Sequence, residues 1–279
     1  MRSLIAGAAV LVLAPSAHAM RIVSLAPSVT ETVFALGAGD ELVGVSTYCD
    51  FPPAAARIDK VGTFLNPSAE VIVAKRPDVV IGVPSPNNRA SVEALERVGL
   101  KVVIVDPETL AGIEKATQAI ATAIGREREG TLLVEHMRED IAATRSAVSQ
   151  VASRRALMVV GHAPLVAVGR GVFLDELMVM AGASNVAADA GGQWPHLSLE
   201  FVLAQAPEVI VDTTLAHEGD SSAGGPFWEP LGSVPAVRDK RVFGYRDYTL
   251  LRPGPRVGEA LRVLARFFHP ERFPATPTA

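Results

Sequence analysis

Short apolar runs alternate with amphipathic stretches along most of the chain. Four of these runs lie in the first half, at 22–25, 42–45, 79–82 and 102–105. Each is short, apolar and bounded by a turn signal, a pattern that indicates a buried strand. The segment 91–98 between the last two has helical spacing. Strand–helix alternation is typical of parallel sheets with right-handed crossovers, so we predict an α/β fold.

Two further patterns predict helix starts in this half. Ser28 and Glu31 have the spacing of a capping box, which predicts a helix from there to about Leu36. Asp106 followed by Pro107 predicts the start of another helix, because proline is preorganised for the first helical position.

The segment 129–153 combines charged residues at helical spacing with apolar positions such as Leu132, Met137 and Ile141. We interpret it as one helix, far longer than the usual 11–12 residues. It divides the chain into an N-terminal α/β lobe at 20–127, a connecting helix at 128–154 and a C-terminal α/β lobe at 155–279. Since a helix resists bending, we do not expect a large hinge closure.

The second half repeats a pattern of the first. A serine cap, a short helix, a proline break and a strand run through 68–81, and the same residue types recur at 198–211. Glu70 and Glu200 each follow the capping serine by two residues. A carboxylate there compensates the positive end of the helix dipole. The repeat also places one acid at an equivalent position on each lobe.

The N-terminus has the pattern of a secretory signal. One arginine precedes an apolar run that is too short to span a bilayer, and 15–19 ends in a small-x-small pattern. We expect 1–19 to be a signal peptide that is cleaved near Ala19. No cysteine follows the expected cleavage site, so we expect a free periplasmic protein rather than a lipoprotein.

Composition narrows the function classes. A formal net charge of −4 gives no basic footprint for nucleic acid. Cys49 is the only cysteine, which excludes an internal disulfide and argues against a Cys/His zinc site. The nucleophile-elbow, phosphate-loop and His-Glu-x-x-His patterns do not occur in the sequence. We therefore expect a binding protein, and an α/β enzyme is the alternative from another class.

Ligands of α/β sheets bind outside the carboxyl ends of the strands. Aromatic residues make up only 5% of the chain, yet four of them fall on loops of this kind. Aromatic and proline faces suit a broad apolar ligand, while polar side chains serve its edges. The predicted ligand-binding residues are Ala26, Pro27, Tyr48, Phe64, Val83, His162, Trp194, Asp247, Tyr248 and Arg252.

His162 has two interpretations. It is either a hydrogen-bonded or solvated loop histidine, or an axial ligand to a cobalt or iron ion carried by the ligand, since neutral imidazole suits both metals. Apart from this possibility, the sequence assigns no metal ligand and no cofactor of the protein's own.

Several strings resemble a known family. They are 45–53 with Tyr48-Cys49-Asp50-Phe51-Pro52-Pro53, 61–64, 74–81, Trp194-Pro195 with 198–200, and 241–256. Together they cover most of the chain after the signal. The layout is similar to that of the helix-hinged, class III substrate-binding proteins of ABC importers, and within that class to the members that bind vitamin B12.

The resemblance implies a periplasmic, monomeric receptor that holds cobalamin or a related corrinoid between two lobes. It also implies delivery to a membrane permease with a cytoplasmic ATPase, and docking of Glu70 and Glu200 on arginine pockets of the two transmembrane subunits. The chain departs from the B12 binders at Phe64 and near Val83, where they have tryptophan. Haem and a ferric siderophore are the alternative ligands within the class.

Overall fold

The computed structural model describes residues 19–214 and 225–273. The predicted signal peptide lies outside these residues except for Ala19. The described part of the chain forms two α/β lobes, as the apolar runs predict. Within 19–214 and 225–273, no helix has the length and apolar character needed to cross a bilayer.

The N-terminal lobe is built on a four-stranded parallel sheet with the order β2-β1-β3-β4. The first three strands are almost wholly buried, which explains their continuous apolar sequences. The strands are β1 (Ile22–Ser24), β2 (Leu42–Val45), β3 (Val79–Gly82) and β4 (Val102–Ile104). The helices are α1 (Pro27–Ala35), α2 (Ala69–Ala74), α3 (Arg89–Arg97) and α4 (Leu110–Ala123).

The C-terminal lobe has a five-stranded sheet with the order β6-β5-β8-β9, and β7 also pairs with β5. Only β6 is antiparallel, because it forms a hairpin with the end of β5. The strands are β5 (Arg154–His162), β6 (Leu165–Ala167), β7 (Ala183–Asn185), β8 (Val209–Asp212) and β9 (Val242–Gly244). The helices are α6 (Phe173–Met180), α7 (Leu199–Gln205), α8 (Gly225–Trp228), α9 (Pro235–Arg238) and α10 (Val257–Phe268).

A 21-residue helix, α5 (Glu127–Ala147), connects the lobes. It ends before the predicted boundary at 154, because Val148 and Ser149 are weak helix formers and the Ser149 hydroxyl bonds to the Ser146 carbonyl at 2.9 Å.

Two glycines allow α5 to pack closely against the helices on either side of it, α4 and α10. A Cβ on Gly130 would lie 2.4 Å from the Ala121 Cβ of α4, and one on Gly258 of α10 would lie 2.5 Å from the Asp140 Cβ of α5.

The predicted helix starts have mixed outcomes. Ser68 and Ser198 cap α2 and α7 as the repeat predicts, and accept hydrogen bonds from the N–H groups of the third residue on. The predicted start at Asp106-Pro107 is wrong. Helix α4 begins at Leu110, and the Thr109 side chain caps it by accepting from the Gly112 N–H. The local Asp-Pro pattern was less informative than the side-chain cap that follows it.

The repeat extends to the tertiary contacts that hold α2 and α7. The residue before each proline break, Arg76 or Ala206, has a left-handed backbone with φ of 48° or 44°. The backbone N–H of Arg21 bonds to the Asp78 carboxylate at 2.8 Å, and its guanidinium bonds to the carbonyl at the end of α2, that of Lys75. The equivalent contacts in the other lobe join Arg155, Glu208 and Gln205. Each short helix is therefore fixed to its sheet in the same way.

Candidate functional site

The predicted ligand loops lie at the carboxyl edges of the two sheets. In the N-terminal lobe, Ala26 and Pro27 follow β1, Tyr48 follows β2 and Val83 follows β3. Because these strands are parallel, their following loops share one edge. In the C-terminal lobe His162 ends β5, and the segment with Asp247 follows β9. Ala26 is buried and is the N-cap residue of α1, so of these two residues only Pro27 is partly exposed at this edge.

Hydrogen bonds join the loops of Tyr48, Phe64 and Val83 in the N-terminal lobe. We call these three loops the rim. The backbone N–H and hydroxyl of Thr47 both bond to the Gly62 carbonyl, at 2.8 and 3.0 Å, which connects the Tyr48 loop to the segment before Phe64. The buried Asn88 amide then donates to the Phe64 carbonyl at 3.1 Å and to the Val83 carbonyl at 3.0 Å. Three loops that are distant in sequence are thus held together. No sequence pattern indicated this role of Asn88.

Buried contacts of the neighbouring Cys49 also hold the loop that carries Tyr48 in place. The Cys49 thiol is buried, accepts a hydrogen bond from the Thr30 hydroxyl at 3.1 Å and lies 3.1 Å from the Ser46 hydroxyl oxygen. Burial raises the pKa of the Cys49 thiol. The Tyr48 side chain itself is 58% exposed. A rigid base with an exposed ring is the arrangement expected of a ligand contact.

Asn88→Ala is expected to lower the free energy of unfolding by about 1–3 kcal/mol, because two loop carbonyls lose their donor. The same change should weaken ligand binding, since the Phe64 and Val83 loops lose their common anchor. Urea unfolding and calorimetric titration measure the two effects. Asn87→Ala is the matched control, because that side chain is exposed. Equal behaviour of the two variants would show that Asn88 does not position the rim.

A cleft of about 600 Å³ opens beside this rim. Its walls are mainly apolar, and Arg89 brings a charged group to them. The lining residues are Pro84, Ser85, Pro86, Asn88, Arg89, Val92 and Ile104. The predicted ligand residue Val83 directly precedes the lining residue Pro84, whereas the apolar run 102–105 predicted that Ile104 is buried. Ile104 ends the edge strand β4 and is exposed there.

In the C-terminal lobe, His162 is held by a buried carboxylate. Its Nε2 lies 2.8 Å from the Asp212 Oδ2, and its ring stacks on Phe227 with centroids 3.9 Å apart. Asp212 also accepts from the Trp228 indole at 2.8 Å and from the Thr214 N–H at 3.1 Å. The geometry therefore supports the hydrogen-bonded interpretation of His162. Metal ligation would be left to Nδ1, because Asp212 already occupies the other nitrogen.

Asp212 and Phe227 are site residues that the sequence prediction missed. An acid at the end of the apolar run 209–211 was a signal that could have found Asp212. No cluster of three histidine, cysteine or acidic side chains suited to a metal ion occurs among residues 19–214 and 225–273.

Trp194 projects from a loop whose neighbours are fixed. The Pro195 carbonyl accepts from the Ala167 N–H at 3.1 Å, and the Gln193 carbonyl accepts from the Gly169 N–H at 2.8 Å. The Trp194 side chain is 41% exposed. Like Tyr48, it combines an anchored backbone with an accessible aromatic face.

Arg252 lies at a contact between the two lobes. Its guanidinium is buried and donates to the Glu31 carboxylate at 3.0 Å and to the Tyr48 carbonyl at 3.2 Å. It also lies 2.6 Å from an Asp50 carboxylate oxygen and 4.9 Å from the centre of the Tyr248 ring. These contacts bring Tyr48 of one lobe and Tyr248 of the other to the same guanidinium. The two terminal nitrogens of Arg252 are used within the protein, and a direct contact of Arg252 with a ligand stays a prediction.

Glu31 is the centre of this contact between the lobes. Its carboxylate, 2% exposed, also accepts from Arg256 at 2.9 and 3.0 Å. The predicted capping box of Ser28 and Glu31 is wrong, because α1 has no side-chain cap and Glu31 pairs with the arginines of the other lobe. Arg256 also stacks over the Phe51 ring at 3.9 Å. We call Glu31, Asp50, Arg252 and Arg256 the interlobe cluster.

Asp247 lies beside the interlobe cluster. Its carboxylate caps the 3₁₀ turn Tyr248–Leu251 by accepting from the Thr249 N–H at 2.6 Å and from the Thr249 hydroxyl. Burial acts to raise the pKa of Asp247, but the Thr249 hydrogen bonds and the charges of Arg256 and Arg252 outweigh it, so that the pKa is lowered. Asp247 is therefore an ionised group beside the interlobe cluster, and its contact with a ligand stays a prediction.

Glu70 and Glu200 are exposed at the starts of α2 and α7. In a right-handed crossover the helix begins at the carboxyl edge of the sheet, so each glutamate lies at the same end of its lobe as the ligand loops. The pKa of Glu200 is lowered by its own backbone N–H and by the Ser198 hydroxyl. Both acids are available at the surface for a basic partner.

The sequence from 22 to 249 matches the family model described as "Periplasmic binding protein". Curated relatives include the "Vitamin B12-binding protein" of Vibrio parahaemolyticus, 27% identical over 248 residues that cover 89% of each chain. The protein of the same name from Yersinia pestis is 28% identical over 223 residues, which cover 80% of this chain and 79% of the relative.

Solved structures with a similar fold include proteins named for heme binding and for vitamin B12 binding. The periplasmic heme-binding protein RhuT from Roseiflexus sp. RS-1 has a TM-score of 0.82 and 29% identity, with 91% of this chain and all of that chain covered. The periplasmic vitamin B12-binding protein BtuF of Vibrio cholerae has a TM-score of 0.78 and 25% identity, and covers 91% of this chain and 98% of its own.

Proposed function

The chain belongs to the family of periplasmic binding proteins, and from this membership we propose that it is the receptor of an ABC importer for a corrinoid of the vitamin B12 type. It is a substrate-binding protein and not an enzyme, and its family works with ABC permeases. The proposal places a corrinoid between the lobes, export through cleavage near Ala19, and a monomer that delivers its ligand to the permease.

The observation that carries the ligand proposal is the pair of exposed aromatic rings on anchored loops. Tyr48 and Trp194 belong to different lobes, and each projects from a backbone that hydrogen bonds hold in place. A corrin ring is a broad apolar disc with amides around its edge. Aromatic faces suit the disc, and the largely apolar cleft beside the rim adds further apolar surface.

Haem is the second candidate, and the similarity to the heme-binding RhuT supports it. Haem iron needs a protein ligand such as tyrosine or histidine. The exposed phenol of Tyr48 could supply one, whereas His162 could offer only Nδ1. A ferric siderophore is third, because Arg89 is the one cation among the described residues that line the cleft.

Calorimetric titration of the mature protein with cyanocobalamin, cobinamide and haemin tests the proposal. We expect both corrinoids to bind at low micromolar affinity or tighter. Binding of haemin alone would refute the corrinoid proposal and support the alternative. Binding of none of the three would contradict the whole assignment of the cleft.

Tyr48→Ala and Trp194→Ala are each expected to weaken corrinoid binding about tenfold, because each removes one aromatic face from the ligand. Leu132→Ala is the control, since Leu132 is an exposed apolar residue of the connecting helix. Tyr48→Phe separates the two ligands. It keeps the ring for a corrinoid but removes the oxygen that haem iron would need. Unchanged affinity in both alanine variants would place the ligand elsewhere.

A further inference from the structure

The short helices α2 and α7 carry the proposed docking glutamates in their first turns. Each helix has a single fully buried side chain. Ile72 of α2 and Val202 of α7 are wholly buried and belong to the hydrophobic cores of their lobes. The aliphatic residues that follow them, Val73 and Leu203, are 42% and 43% exposed. Nearly half of the surface of each is therefore open to contact with a partner.

These exposed residues lie beside the glutamates. Val73 follows Glu70 by three positions, and Leu203 follows Glu200 by three, so each pair shares one face of its helix. A second exposed aliphatic residue stands within one position of each glutamate, Val71 in one lobe and Leu199 in the other. A singly exposed apolar residue needs no explanation. The same pair of an acidic and an aliphatic residue at equivalent positions in both lobes does need an explanation.

The orientation of both helices is also duplicated. The guanidiniums of Arg21 and Arg155 bond to the carbonyls at the ends of α2 and α7 in the same way. The residues after the helices, Arg76 and Ala206, share the left-handed backbone. Each lobe therefore presents its glutamate and aliphatic residue on a rigid support of the same construction.

We infer that Val73 and Leu203 form, with Glu70 and Glu200, two composite docking surfaces that bind a basic side chain surrounded by apolar surface on the permease. The inference rests on the proposed function. The glutamates steer the encounter, as charges do at interfaces. The aliphatic side chains exclude water around each ion pair and lengthen the life of the complex.

The test measures binding of the full-length mature protein to its own permease–ATPase complex in lipid nanodiscs, at low and at high salt. Val73→Ser with Leu203→Ser is expected to raise the Kd about tenfold or more, mainly through faster dissociation, at both salt concentrations. Val98→Ser with Val179→Ser is the matched control. Both of those valines are exposed, one in each lobe, near the ends of α3 and α6 that lie away from the docking glutamates.

Two results would overturn the inference. The serine pair could dock like the parent protein, or it could dissociate no faster than the control pair. Glu70→Ala with Glu200→Ala distinguishes this failure from that of the docking proposal itself. If the alanine pair loses docking while the serine pair keeps it, only the aliphatic part is wrong. If the alanine pair docks like the parent, the docking role of the glutamates fails.

Discussion

Replacing Glu31 with alanine is expected to lower the free energy of unfolding by about 3–5 kcal/mol. The Glu31 carboxylate is the acceptor for both Arg252 and Arg256. Without it, two guanidiniums of like charge lie close together where little water reaches them. Arg252 keeps Asp50 as a partner, but Arg256 is left without its closest carboxylate. Urea unfolding followed by circular dichroism measures the loss.

The control for Glu31→Ala is Arg89→Ala, which removes an exposed ion pair with Glu93. Exposed pairs of this kind contribute at most about 1 kcal/mol, so the control should unfold almost like the parent. Glu31→Gln keeps the volume and one acceptor oxygen, and we expect a loss between those of the two alanine variants. A loss below about 1 kcal/mol in Glu31→Ala would show that the interlobe cluster does not stabilise the arrangement of the lobes.

Glu70→Ala combined with Glu200→Ala is expected to abolish ligand transport while leaving ligand affinity unchanged. Both side chains are exposed, and neither contacts the rim or the interlobe cluster in any described hydrogen bond or ion pair. Removing them deletes the charge that attracts a basic partner on each lobe. Uptake of labelled ligand by cells that carry each variant measures transport, and calorimetry on the purified protein measures affinity.

Glu135→Ala with Glu139→Ala is the matched control for transport. It removes the same number of exposed carboxylates from the connecting helix and leaves α2 and α7 intact. We expect near-normal uptake with this control. We expect reduced uptake with Glu70→Ala alone and with Glu200→Ala alone. Reduced ligand affinity in the Glu70/Glu200 variant would mean that these acids belong to the ligand site instead.

The fold was largely predictable because it depends on local patterns. The apolar runs that become β1, β2 and β3 are buried in a parallel sheet, so their sequences carry the strand signal by themselves. The capping serines Ser68 and Ser198 were likewise predictable, because a side-chain cap requires only residues within one helical turn.

The predictions failed where a distant residue competes with a local pattern. Glu31 has the spacing of a capping residue, but its partner Arg252 lies 221 positions along the chain. A single sequence contains no signal for such a pairing. The same limit applies to Asn88, whose amide bonds to the Phe64 carbonyl 24 positions away. The loops of the site could be predicted, whereas the side chains that position those loops could not.

The interlobe cluster and the tight packing of α5 have a consequence for ligand selection. Two arginines, one buried carboxylate and a helix packed tightly on both sides set the distance between the loops of Tyr48 and Tyr248 before any ligand arrives. On the proposed function, we therefore expect the receptor to act as a gauge of fixed opening, which selects molecules by thickness rather than by closing around them. We also expect the loaded and the empty receptor to present nearly the same shape to the proposed permease.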